Sequence, residues 1–124
     1  MITSELFGTA PCGTPVHRYT LNGPEICVRI MDYGATVLGI DAAFIGANGI
    51  LDGDVSTSNM DEGRIQQLAF SKADSRYLIA DSSKIGKRDF YTFCRLDSLD
   101  AVVCEPGIAA EDRAAIEEHT QVIC

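Results

Sequence analysis

Four consecutive residues concentrate the chemistry of this chain. Asp81, Ser82, Ser83 and Lys84 set a carboxylate, two hydroxyls and an ammonium directly after the apolar run Tyr77, Leu78, Ile79 and Ala80, and Gly86 closes the turn. A short apolar run of this kind suits a buried strand. Ligands of open α/β sheets sit just beyond the carboxyl ends of such strands. At that position an ammonium serves a phosphate as a point charge, and hydroxyls can donate to its oxygens. Lys84 is the leading candidate contact, against the plainer role of a solvated lysine paired with Asp81. Asp81 has two readings: it orients a ligand hydroxyl or fixes Lys84, or it caps the turn through the Ser83 N–H. Ser82 and Ser83 are either phosphate donors or ordinary loop residues.

A second stretch, Gly46-Ala47-Asn48-Gly49, follows another short apolar run, residues 42–45. Glycines around an asparagine let backbone amides face a ligand, or simply let the chain turn. If the two runs are neighbouring strands, Asn48 and Gly49 line the crevice of Asp81 and Lys84.

Other chemistry finds little support. Asp41, Asp52 and Asp54 lack the spacing of a calcium loop. The five cysteines, Cys12, Cys27, Cys94, Cys104 and Cys124, contain no CxxC pair, so neither a metal nor another cofactor is expected. Thiols so scattered in a reducing compartment are most often small buried hydrophobes. His17 reads as a strand histidine. Lys87 and Arg88 read as a solvated pair or as extra local attraction for phosphate. No acid–base pair can be assigned, so no catalytic residue is expected.

The elements that must position these residues follow from periodicity. Residues 1–40 read as β. Ile26, Val28 and Ile30 alternate with Cys27 and Arg29, and Asn22-Gly23-Pro24 makes a turn, which suggests a hairpin of residues 16–21 with 25–31. Asp32-Tyr33-Gly34 turns the chain again, and residues 35–40 begin another extended run. Residues 52–58 read as a polar connection. Asn59 then caps a helix with Glu62 as capping-box partner, and Ile65, Leu68 and Ala69 form its apolar face. Residues 77–80, 90–94, 101–104 and 121–124 read as short strands. Residues 109–118 read as a second helix, with Ile108, Ala115 and Ile116 on its core side. This alternation predicts an α/β fold: an N-terminal β-hairpin segment, then a partial parallel sheet with two main helices.

Bulk properties are consistent with one modest core. The chain has 124 residues, 46% hydrophobic and 23% charged, and a formal net charge of −8. That charge opposes direct contact with a nucleic-acid backbone or an anionic membrane. No apolar run is long enough to span a bilayer, and the N-terminus lacks a basic, apolar leader, so a cytoplasmic location is expected.

Two family resemblances lie on these residues. GTPVHRYTL (13–21), VRI (28–30) and DYGATVLGI (32–40) resemble the start of aldose 1-epimerases, the galactose mutarotase family, whose catalytic glutamate and histidines have no counterpart here. DAAFIGANGI (41–50), YLIADSSKIGKRDF (77–90), RLDSLDAVVCE (95–105) and GIAAEDRAAIEE (107–118) resemble the C-terminal part of the sensor domain of DeoR-type sugar-metabolism repressors. That resemblance implies a fold similar to ribose-5-phosphate isomerase. It also implies a phosphorylated sugar or other small anion as partner, bound through Asn48, Gly49, Asp81, Ser82, Ser83 and Lys84. The implied domains are residues 1–40, a mutarotase-like β segment, and residues 41–124, the C-terminal half of a sensor without its DNA-binding region. Two alternatives stay open: an aldose 1-epimerase-related carbohydrate protein without a complete catalytic site, or an oligomerising module whose unpaired sheet edge meets a second copy.

Overall fold

The computed structural model describes residues 1–24, 27–34 and 36–124. Glu25, Ile26 and Ala35, expected in strands, lie outside the described residues. The chain divides into two units, Met1–Ala42 with Lys72–Asp74, and Ala43–Ser71 with Ser75–Cys124.

The first unit is an antiparallel meander. β1 (Ile2–Thr9) pairs with β2 (Pro15–Asn22), β2 with β3 (Cys27–Met31), and β3 with the start of β4 (Val37–Gly46). The expected hairpin is β2–β3, and β1 adds a strand beside β2. Polar pairs tie the meander together. Arg18 donates to Glu5 at 2.9 Å, the His17 N–H donates to Asp32 at 2.9 Å, and Arg29 lies 3.2 Å from Asp74. Such solvent-facing pairs each contribute little. The apolar burial here is thin: Ala10 and Val16 are buried, while Ile2 and Leu6 remain 68% and 67% exposed.

The second unit takes up the end of β4 and continues through β5 (Gly49–Leu51), β6 (Asp54–Thr57), α1 (Met60–Lys72) and most of β7 (Ala73–Ile79). β8 (Tyr91–Arg95), β9 (Ala101–Val103), α2 (Ala110–Glu117) and β10 (Gln121–Ile123) complete it. β7, β9 and β10 run parallel, with Leu78, Val102 and Val122 in register. Leu78 and Val102 are fully buried, as is Ile116 of α2. The Phe44 ring of β4 stacks on Tyr77 of β7, centroids 4.9 Å apart. The expected mixed α/β fold with parallel strands and two helices is therefore present. On α2, Ile116 is buried, Ile108 just before it is half-buried, and Ala115 is exposed. Among the described residues no helix is long and apolar enough to cross a membrane.

Two expectations need correction. Residues 52–58 are not a plain polar connection. β5 and β6 form a tight antiparallel hairpin, and β8 pairs with β6 in a separate three-stranded sheet. The turn is Asp52-Gly53, with φ of 52° and 80°. Two consecutive positive φ values define the turn that matches strand twist, and Asp-Gly is a favoured pair for it.

The second correction concerns α1. Asn59 caps it as expected, accepting from the Asp61 N–H at 2.8 Å, but Glu62 receives the Thr57 hydroxyl at 3.1 Å. The buried positions are Gly63 and Phe70, whereas Ile65 and Leu68 are 69% and 60% exposed. Phe70 meets the Phe93 ring, centroids 6.3 Å apart. A Cβ on Gly63 would overlap the Tyr91 ring and lie 3.3 Å from Thr57 Cγ2. Close approach at Gly63 thus sets which face of the helix turns inward. Gly63→Ala should destabilise the fold by about 1–3 kcal/mol through overpacking, although alanine alone would favour the helix by about 1 kcal/mol. Urea unfolding measures this; a stabilised variant would contradict the packing described.

Candidate functional site

β7 ends at Ile79, and the Ala80 N–H still donates to Val103 across the ladder at 3.1 Å. The backbone then tightens into a single 3₁₀ turn, residues Ser82–Lys84. Asp81 caps it, accepting from the Ser83 N–H at 2.9 Å. β9 ends one strand away, and its next residues, Cys104 and Glu105, face the same opening. The Glu105 carboxylate accepts the Ser82 N–H at 3.0 and 3.2 Å. Together these strand ends line a cleft of about 390 Å³ that includes Gly46, Asp81, Lys84, Cys104 and Glu105.

The electrostatics of the cleft are mixed. Hydrogen bonds from Ser83, chiefly its hydroxyl and then its N–H, hold the Asp81 carboxyl below the usual carboxylate range, and Lys84 adds to this. Ser82 does the same for Glu105, while the nearby Asp81 charge opposes it. Lys84 is half-buried, and among the described residues it is the one cation in the lining. Two ionised acceptors beside one ammonium suit a molecule with hydroxyls and a single anionic group better than a bare anion. A second, smaller cavity of about 230 Å³ lies against Gly53, Leu96 and Ile116, with His119 at its wall. Among the described residues its lining has carboxylates and a histidine but no lysine or arginine. His119 Nδ1 lies 2.7 Å from Asp97, and that contact holds the Asp97 carboxyl low.

Of the four consecutive residues, Asp81 and Lys84 line the cleft, whereas Ser82 and Ser83 lie outside its lining and their N–H groups go to Glu105 and Asp81. The lining adds Glu105 and Cys104, which sequence reasoning missed. Their signal was position: they follow the apolar run of residues 101–103, as Asp81 follows residues 77–80. Asn48 and Gly49 do not line this cleft; the lining stops at Gly46 and Ala47. Asn48 donates to Asp89 at 3.0 Å through its amide and to the Ser56 carbonyl at 2.9 Å through its backbone. Gly49 is buried in β5, where a Cβ would lie 2.5 Å from the Lys87 carbonyl oxygen. Both residues serve the three-stranded sheet. Arg88 is held by Asp54 at 3.1 Å, away from any ligand role. Among the described residues no cluster of side chains could hold a metal ion.

Four carboxyls, Asp32, Asp81, Asp97 and Glu105, titrate lower in the folded chain than their ordinary values, which lie at about 3.9–4.3. Groups with depressed folded values stabilise fully above the unfolded value and lose that contribution as pH falls through the folded one. The melting temperature should therefore fall steadily below about pH 4, less steeply in Asp81→Asn. Thermal scans across that range check it; a melting temperature that holds steady would contradict it.

Comparison with known proteins adds a family match. A model of the DeoR C terminal sensor domain matches residues 35–105. A lactose phosphotransferase system repressor of Staphylococcus aureus is 45% identical over 109 residues, 73% of this chain and 43% of the relative. That of Staphylococcus epidermidis is 42% identical over 80 residues, 64% and 32% of the two chains. That of Streptococcus mutans is 40% identical over 62 residues, 50% and 25% of the two. The chain thus spans less than half the length of these bacterial relatives.

Proposed function

Because the chain belongs to the DeoR C-terminal sensor domain family, we propose that it binds a phosphorylated sugar, or a similar small anion, at the cleft of Asp81 and Lys84. Its setting in this reading is the bacterial cytoplasm, as part of a sugar-metabolism transcriptional regulator. Residues 41–124 carry the sensing part, and residues 1–40 form a separate β segment. The observation that carries the reading is Lys84, a half-buried ammonium at the ends of two parallel strands and, among the described residues, the one cation lining the cleft. Ser82 and Ser83 keep Glu105 and Asp81 ionised and oriented, so that these can accept sugar hydroxyls while Lys84 takes the phosphate. That the similar proteins are repressors of a lactose phosphotransferase system supports a sugar metabolite as the ligand.

A thermal-shift series over hexose and pentose phosphates tests this. At least one should raise the melting temperature, and inorganic phosphate should act far more weakly. A charge-assisted hydrogen bond is worth roughly 1.5–3 kcal/mol, so Lys84→Ala should weaken binding about 10- to 150-fold. No shift with any sugar phosphate, or an unchanged affinity in Lys84→Ala, would remove the reading.

A second copy of the chain is a further partner favoured by one observation. Phe44, Ile79 and Ile123 are 55%, 51% and 47% exposed, and Ile79 and Ile123 share one register row with Val103. Grouped exposed apolar side chains mark association surfaces. Light scattering at micromolar concentration should report a dimer that Ile79→Lys disrupts; a clean monomer of the parent chain would count against it.

A further inference from the structure

The register of β9 and β10 continues one step past their ends. Val103 lies opposite Ile123, and the Cys104 N–H donates to the Ile123 carbonyl at 2.9 Å. Cys104 and Cys124 are therefore the next pair along a parallel ladder. Neighbouring strands lie about 4.8 Å apart, inside the window of roughly 4.4–6.8 Å between Cα atoms that a disulfide spans. Each cysteine follows a buried valine, Val102 or Val122, by two residues, so the two side chains leave the same face. Arg113 of α2 reaches that face: its Nη1 donates to Cys124 Sγ at 3.5 Å and its Nη2 to the Val122 carbonyl at 3.4 Å. Both thiols are free; Cys124 is exposed and Cys104 is 7% exposed. Burial pushes the Cys104 thiol up, and the charge of Cys124 is the next contributor.

We propose that Cys104 and Cys124 are a peroxide-reactive pair that closes reversibly into a disulfide. The Cys124 sulfur, open to solvent with a guanidinium N–H on it, attacks a hydroperoxide oxygen. The O–O bond breaks, Cys124 becomes a sulfenic acid, and the departing oxygen takes a proton to leave as water or an alcohol. The Cys104 sulfur then attacks the sulfenic sulfur. The S–O bond breaks, the hydroxyl leaves as water with the Cys104 proton, and the S–S bond forms. Two thiols lose two electrons and the peroxide gains them; an added dithiol reverses the step. Cys94 takes no part: it sits on β8 of the three-stranded sheet, outside this ladder, and burial pushes its thiol up to about 12. Cys104 also lines the cleft of Asp81 and Lys84, so the bridge would form at the wall of that cleft.

The reduced chain is treated with hydrogen peroxide, its remaining thiols are alkylated in denaturant, and the cysteines are mapped by mass spectrometry. The expected result is loss of two of the five alkylatable thiols, a peptide linking residues 104 and 124, and full recovery with dithiothreitol. Cys104→Ser and Cys124→Ser should each lose the linked peptide, and Arg113→Gln should form it more slowly. Five free thiols after treatment, linkage among other cysteines instead, or Cys124 oxidised to sulfinic acid with Cys104 still free would overturn the proposal. Equal rates in Arg113→Gln would overturn the part given to the guanidinium.

Discussion

The parallel register of β7, β9 and β10 is the constraint on which the chemistry of this chain depends. Leu78, Val102 and Val122 lie in one row on the buried face. Burying a side chain of this size fully is worth about 1.5–3 kcal/mol relative to leaving it in water. A slip of one residue would turn that row outward and put its neighbours inside, so the register is strongly held. The same register decides what meets at the strand ends. It sets Asp81 and Glu105 around one opening, and it sets Cys104 beside Cys124. The residues that could do chemistry have no long-range device of their own; the apolar row positions them.

At that opening the protein solves a charge problem locally. The whole chain carries a formal charge of −8, and two carboxylates share the cleft with one ammonium. The carboxylates are tolerated because each is tied to a serine one strand end supplies: Ser83 holds Asp81 and Ser82 holds Glu105. The single 3₁₀ turn therefore does two things at once. It orients both acids, and it brings Lys84 to the cleft wall. Screening by salt shortens the reach of the distant surface charges to roughly 8–10 Å, so these neighbours set the potential inside the cleft more than the acidic surface elsewhere does.

Much of the local structure was legible in the residues. The apolar runs at 77–80 and 101–103 are strands or end strands, Asn59 caps α1, and Asp81 caps its own turn. The Asp52-Gly53 hairpin was missed: the dipeptide, between Leu51 and Asp54, is a strong turn signal, but the largely polar run of residues 52–58 read as a connection. The face of α1 was not legible. Ile65 and Leu68 have the spacing of a core stripe, yet Gly63 and Phe70 are buried, because Tyr91 and Phe93 come from a strand more than twenty residues away. Asn48 was misplaced for a similar reason: its amide is claimed by Asp89, across the three-stranded sheet.

The sequence by itself determined most of the extended and helical segments, and that an acid, two hydroxyls and an ammonium would stand at one strand end. Those outcomes rest on backbone preferences and hydrogen bonds reaching only a few residues. Only the tertiary structure decided which helix face is buried, that Glu105 rather than Asn48 joins Asp81 and Lys84, and that two cysteines twenty residues apart become neighbours. These depend on strand order and register, which burial of distant apolar side chains settles and no short stretch encodes.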